Sequence, residues 1–108
     1  MRTIIRAAGL AGGVLAAASV AVLAASTVEV GQANKTFDKT TVSIAAGDTV
    51  SFVNNDTIAH NVMAQGADAF NLGVMKPGEK KSRKFDKAGT HEVKCALHPR
   101  MKMTVEVK

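Results

Sequence analysis

The segment Thr41–Asp56, TVSIAAGDTVSFVNND, decides the fold. Val42 and Ile44 alternate with polar neighbours, Ala46-Gly47-Asp48 supplies turn chemistry, Val50 and Phe52 resume the alternation, and Asn54-Asn55-Asp56 ends it. A period of two, in place of 3.6, sends successive side chains to opposite faces of a half-buried strand. Outward from this segment the same pattern repeats. Val28 and Val30 alternate upstream, and a strand is expected around Ala59–Ala64. A looser stretch with Gly66, Asp68, Asn71 and Gly73 then leads to Pro77-Gly78, a pair suited to a type II turn. Lys80–Asp86 and Thr90–Cys95 read as two more strands separated by Lys87-Ala88-Gly89. A last strand sets Met103, Val105 and Val107 against Thr104, Glu106 and Lys108. About seven short strands with close turns predict an all-β, single-domain antiparallel sandwich or barrel.

The N-terminus has a different grammar. Arg2 and Arg6 precede an uncharged run of Ala, Gly, Val and Leu from Ala7 to Val28, and small residues follow at Ala24, Ala25 and Ser26. A positive flank, an apolar stretch and a small-residue cleavage site make residues 1–26 a signal peptide, with Gly31-Gln32-Ala33 as a later, weaker site. An uncleaved anchor is the alternative; the run is long enough to span but only weakly apolar. Export places the remaining domain, 27–108, in the periplasm. Of 14 basic residues, 12 remain against nine acidic ones, a net +3 on about 82 residues. One cysteine closes no intramolecular disulfide, so a domain this small needs a good core or a bound metal. With no Trp or Tyr to stack on bases, the modest basic excess does not predict nucleic-acid binding.

The chemistry lies in Cys95–Met103, CALHPRMKM. Cys95 and His98, then Met101 and Met103, offer a thiolate, an imidazole and thioethers from one tight loop, and His60 in AHNV brings a second imidazole from an earlier strand. Taken singly, each has an ordinary structural role: a buried cysteine, core methionines, a packed histidine. Together, in an exported chain where a free thiol is unusual, they point to a metal site. Two nitrogens, one thiolate and a weak axial sulfur suit a type 1 copper centre, whereas zinc usually takes a fourth strong ligand or an open water position. A Cys/His nucleophilic pair is the enzymatic alternative, but no helix N-terminus or cleft is evident to lower the thiol pKa. The chain is therefore expected not to be an enzyme.

On the segments AAGDTVSFVNND, AHNV, KPGE, FDKAGTHEVKC and CALHPRM, in this order, the chain resembles the cupredoxins of the plastocyanin and azurin family, most of all the amicyanin and pseudoazurin group. The resemblance covers nearly all of 27–108 and implies a Greek-key β-sandwich of seven to eight strands with one type 1 copper at one end. It implies His60, Cys95 and His98 as equatorial ligands, Met101 as the axial one, and Asn61 as the residue bonding across the two ligand loops. It further implies a monomeric periplasmic electron shuttle between a dehydrogenase or reductase and a cytochrome c, with the electron leaving through His98 beside Leu97, Pro99 and Met63. Two positions depart from the family pattern: His91 stands where tyrosine is common, and Lys94 where plastocyanins carry a tyrosine. Alternation puts His91 on the face of Cys95, some two residue pairs away, so a packed or edge histidine is expected there. The run KKSRK, Lys80–Lys84, either steers an acidic partner or protects an edge strand. The competing function is a periplasmic copper carrier using Met63, Met75, Met101 and Met103; a multicopper enzyme subunit is weaker, since no His-x-His pair is present.

Overall fold

The computed structural model describes residues 24–108, and the expected signal segment falls almost entirely outside the described residues. Nine strands follow in order: β1 (Thr27–Ala33), β2 (Thr36–Phe37), β3 (Thr41–Ile44), β4 (Thr49–Asn54), β5 (His60–Ala64), β6 (Phe70–Met75), β7 (Lys80–Lys84), β8 (Gly89–Cys95) and β9 (His98–Val107). One sheet runs β2-β1-β4-β7 and the other β3-β9-β8-β5-β6.

The sandwich is the one the alternation predicts, with differences of detail that have physical causes. Two pairings are parallel, Val28↔Val50 in β1–β4 and Val42↔Val105 in β3–β9. Period-two alternation is the same in both ladder types; here β3 crosses to the opposite sheet before β4 returns beside β1. The looser stretch after Ala64 contains a full strand, β6, whose Gly73 takes φ +83 and donates its N–H to Asn71 Oδ1 at 2.8 Å. Its turn-type composition thus serves a kinked strand. A two-residue turn at Asn34-Lys35, with φ 53 and 60, joins β1 to the short β2. Successive positive φ values match the twist of a hairpin.

Inward side chains from both sheets form the core: Val30, Val50 and Phe52 from one, Val62, Val93, Met103 and Val105 from the other. Phe52 and Phe85 are fully buried, and burying each such side chain is worth about 1.5–3 kcal/mol. Phe85 packs edge-on against Phe70 at 5.8 Å and against His91 at 5.4 Å.

KKSRK forms β7, an edge strand bonded only to β4. Each of its cations has an intramolecular partner: Lys80 pairs with Glu29 at 3.3 Å, Lys84 with Asp86 at 3.5 Å, Lys81 donates to the Leu72 carbonyl at 2.9 Å, and Arg83 reaches Asp68 at 3.2 Å over the Phe70 ring. These contacts favour edge protection over steering.

Candidate metal centre

β5 opens on His60, β8 ends on Cys95 and β9 opens on His98, so the turn Ala96-Leu97 and the start of β5 meet at one end of the second sheet. The ligand-type atoms of His60, Cys95 and His98 all lie within 4.8 Å of one another. His60 Nδ1 is 3.2 Å from His98 Nδ1, which is 3.6 Å from Cys95 Sγ. A trigonal ion with bonds of about 2.0 Å to nitrogen and 2.3 Å to sulfur spaces its donors roughly 3.5–3.7 Å apart. The donor set and its spacing therefore fit a single metal ion.

The ring orientation of His60 has an identifiable cause. Its Nε2 sits 2.8 Å from Asp56 Oδ2, and the same carboxylate accepts the backbone N–H of Lys35 at 3.1 Å and of Thr57 at 2.8 Å. The bond to His60 is the main reason, and these two N–H groups the lesser ones, that the Asp56 carboxyl is held down to about 2. An ionised carboxylate accepts a hydrogen bond from a protonated Nε2, the tautomer that leaves the Nδ1 lone pair facing Cys95 and His98. In the sequence Asp56 does no more than help end the alternating run of Val50 and Phe52. Its signal, a carboxylate four residues before a candidate ligand, becomes meaningful only once the loop after β4 is seen to fold back.

Asn61 ties the two ligand segments together. Its backbone N–H donates to Cys95 Sγ at 3.2 Å, and its Oδ1 accepts the Ala96 N–H at 3.0 Å. Its Nδ2 donates to Asn71 Oδ1 at 2.9 Å and to the Gly73 carbonyl at 3.0 Å, which anchors it to the edge strand β6. The cross-loop bonding that the resemblance implies for Asn61 is therefore present.

His60 is fully buried, Cys95 and Met101 are 1% exposed, and His98 alone of the four is half-buried. Met101 lines, with His98, Pro99, Arg100, Lys35 and Thr36, an open cavity of about 490 Å³. The last strand begins at His98, earlier than its alternation around Met103 predicts, so Met101, Met103, Val105 and Val107 all face inward. Lys94 pairs with Lys102 while Cys95 pairs with His98, so the segment Pro99–Met101 has no partner on β8 and bulges beside the site.

His91 lies outside the donor cluster. It is half-buried, with Nε2 2.9 Å from the Lys87 carbonyl and Nδ1 3.9 Å from Asp68, as a packed histidine. Leu97 is half exposed beside His98, and Ile58 and Val74 are further exposed apolar side chains on the segments leading to His60 and Asn61. Met63 pairs with Lys94 further along β5.

Comparison with known proteins agrees with this geometry. The profile of the copper binding proteins, plastocyanin/azurin family, matches residues 24–108. The chain is 38% identical over 84 residues to plastocyanin from Scenedesmus fuscus, covering 67% of this chain and 86% of that one. It is 35% identical over 71 residues to amicyanin from Paracoccus versutus, covering 62% of this chain but only 54% of that relative. The crystal structure of amicyanin from Paracoccus versutus superposes with a TM-score of 0.72 at 31% identity, over 76% of this chain and 81% of that one.

Proposed function

Because the chain belongs to the plastocyanin/azurin family of copper-binding proteins, we propose that it is a type 1 blue copper protein serving as a one-electron shuttle in the periplasm. His60, Cys95 and His98 would hold the copper, and Met101 would add a weaker thioether donor. Residues 1–26 are a removed signal peptide, and 27–108 are the working domain. Bound copper supplies a redox centre that accepts and releases one electron. A thiolate with two imidazoles and a distant thioether accepts both copper valences, and the chain holds these donors still. Asp56 fixes the His60 ring, and Asn61 fixes the sulfur and the loop after it.

The observation that carries this reading is the burial pattern. Three donors are sealed and of the four only His98 is half-buried. The open cavity beside the site thus reaches one donor edge, which suits a partner's approach, while four protein donors would leave no position on the copper for a substrate. Lys35 and Arg100 flank His98 with no acidic side chain among the cavity's lining residues. That rim suits a redox protein, such as a dehydrogenase, a reductase or a cytochrome c, that presents carboxylates around its own electron port. The same sealing argues against copper carriage, which needs the metal to leave.

Cycling the copper-loaded protein between oxidised and reduced forms in the presence of a strong Cu(I) chelator tests the reading. A shuttle keeps its copper through repeated cycles and exchanges electrons with a c-type cytochrome. Loss of copper to the chelator on reduction, with no electron exchange, would show a carrier.

A further inference from the structure

Gln32 occupies a position where alternation calls for an apolar side chain. Val28, Val30 and Gln32 share the inward face of β1, and Gln32 is fully buried. Its backbone is held on both flanks, by pairing with Phe37 and Asn54 and by accepting the Asn55 N–H at 2.8 Å. The carboxamide crosses from the first sheet to the second, where Nε2 donates to the Asn61 carbonyl at 3.4 Å. Among the described residues its Oε1 is buried without a hydrogen-bond partner. A buried amide with one long bond and an unmet acceptor stabilises the fold less than a hydrocarbon of the same shape. Packing alone does not account for it.

The residue it touches is the one that holds the sulfur. With the Gln32 bond counted, every polar group of Asn61 is engaged: its N–H on Cys95 Sγ, its Oδ1 on the Ala96 N–H, its Nδ2 on β6, and its carbonyl on Gln32. We propose that Gln32 is a positioning residue for the thiolate: from the opposite sheet it pins the Asn61 carbonyl, and so keeps the Asn61 N–H against Cys95 Sγ. An N–H on the sulfur withdraws negative charge from it, which favours the reduced metal, so Gln32 sets the potential through Asn61. The inference rests on Cys95 being a copper ligand.

The test uses Gln32→Leu and the nearly isosteric Gln32→Met in the full protein. Both variants are expected to keep the blue colour and to melt no lower than the parent in the metal-free state. Both are expected to show a lower reduction potential. In the metal-free protein, hydrogen exchange at the Asn61 and Ala96 amides should quicken by roughly tenfold while core amides of β8 and β9 stay unchanged, a local opening in place of a global one. Unchanged potential and unchanged exchange in both variants overturn the inference. A lower melting temperature in both also overturns it, because the amide would then be a structural support. A colourless parent protein instead refutes the ligand assignment on which the inference stands, and is read before any variant is made.

Discussion

The backbone N–H of Asn61 donates to Cys95 Sγ at 3.2 Å while the Asn61 side chain accepts the N–H of Ala96, the residue after that cysteine. One residue thus holds both the sulfur and the start of the loop that carries His98, and it does so from the strand that carries His60. The histidine on β5 and the pair on the β8–β9 turn become a single rigid unit.

Asn61→Ala removes the side-chain half of that link. The part-buried bond to the Ala96 N–H and the bonds to Asn71 and Gly73 are lost, although Ala96 and Asn71 are themselves exposed and Asn71 Oδ1 keeps the Gly73 N–H. Urea unfolding of the metal-free protein should show a loss of about 0.5–1.5 kcal/mol, the net worth of a hydrogen bond whose remaining partner water can reach. A loss below about 0.5 kcal/mol would mean that water replaces the bonds and that Asn61 is no clamp.

Acid should weaken the fold through Asp48. In a chain that retains Ser26, its carboxylate accepts the N–H of Ser26 at 2.9 Å and of Ala45 at 3.0 Å, and these two bonds, Ser26 first, lower its pKa below the usual 3.8. In the domain 27–108 the Ala45 bond alone remains, so unfolding is followed on a chain that keeps Ser26. A carboxyl lowered on folding contributes stability that is fully present above its unfolded value and disappears as pH falls through its folded value. Urea midpoints for the parent and Asp48→Asn should therefore differ most near neutral pH, and the gap should narrow as the pH is taken below 3.8. An equal gap at both ends would show that the bonds do not depend on the charge.

The two methionines of β9 separate by position. Both face inward, but residues two apart on a strand lie about 6.5–7 Å apart, and only Met101 lines the cavity with His98. Met101→Leu should keep the blue colour and raise the potential by removing the axial donor. Met103→Leu should leave the potential alone and cost less than about 1.5 kcal/mol, as a swap of similar volume does. The reverse pattern would place Met103 on the metal.

Much of this was legible in the chain itself. The strands around Val42, Phe52, Val93 and Val105 follow from alternation, because burial on one face leaves its period in the sequence. Cys95 and His98 follow from their spacing, and His60 from being a second imidazole ahead of Asn61. Strand β6 is not legible in the sequence because Asn71 and Gly73 are turn-forming residues, used here within a strand paired to β5. The parallel pairings were hidden because alternation carries no direction. Asp56 and Gln32 act on residues brought near by the sheets, four and 29 positions away along the chain. In sequence the first reads as a turn former and the second as a polar break in a strand.

The visible spectrum of the oxidised, copper-loaded protein tests the central claim most directly. A thiolate and two imidazoles held around Cu(II) should give an intense blue charge-transfer band, absent from Cys95→Ser and from His60→Ala. A colourless Cu(II) complex, or a blue band that survives in Cys95→Ser, would contradict the account.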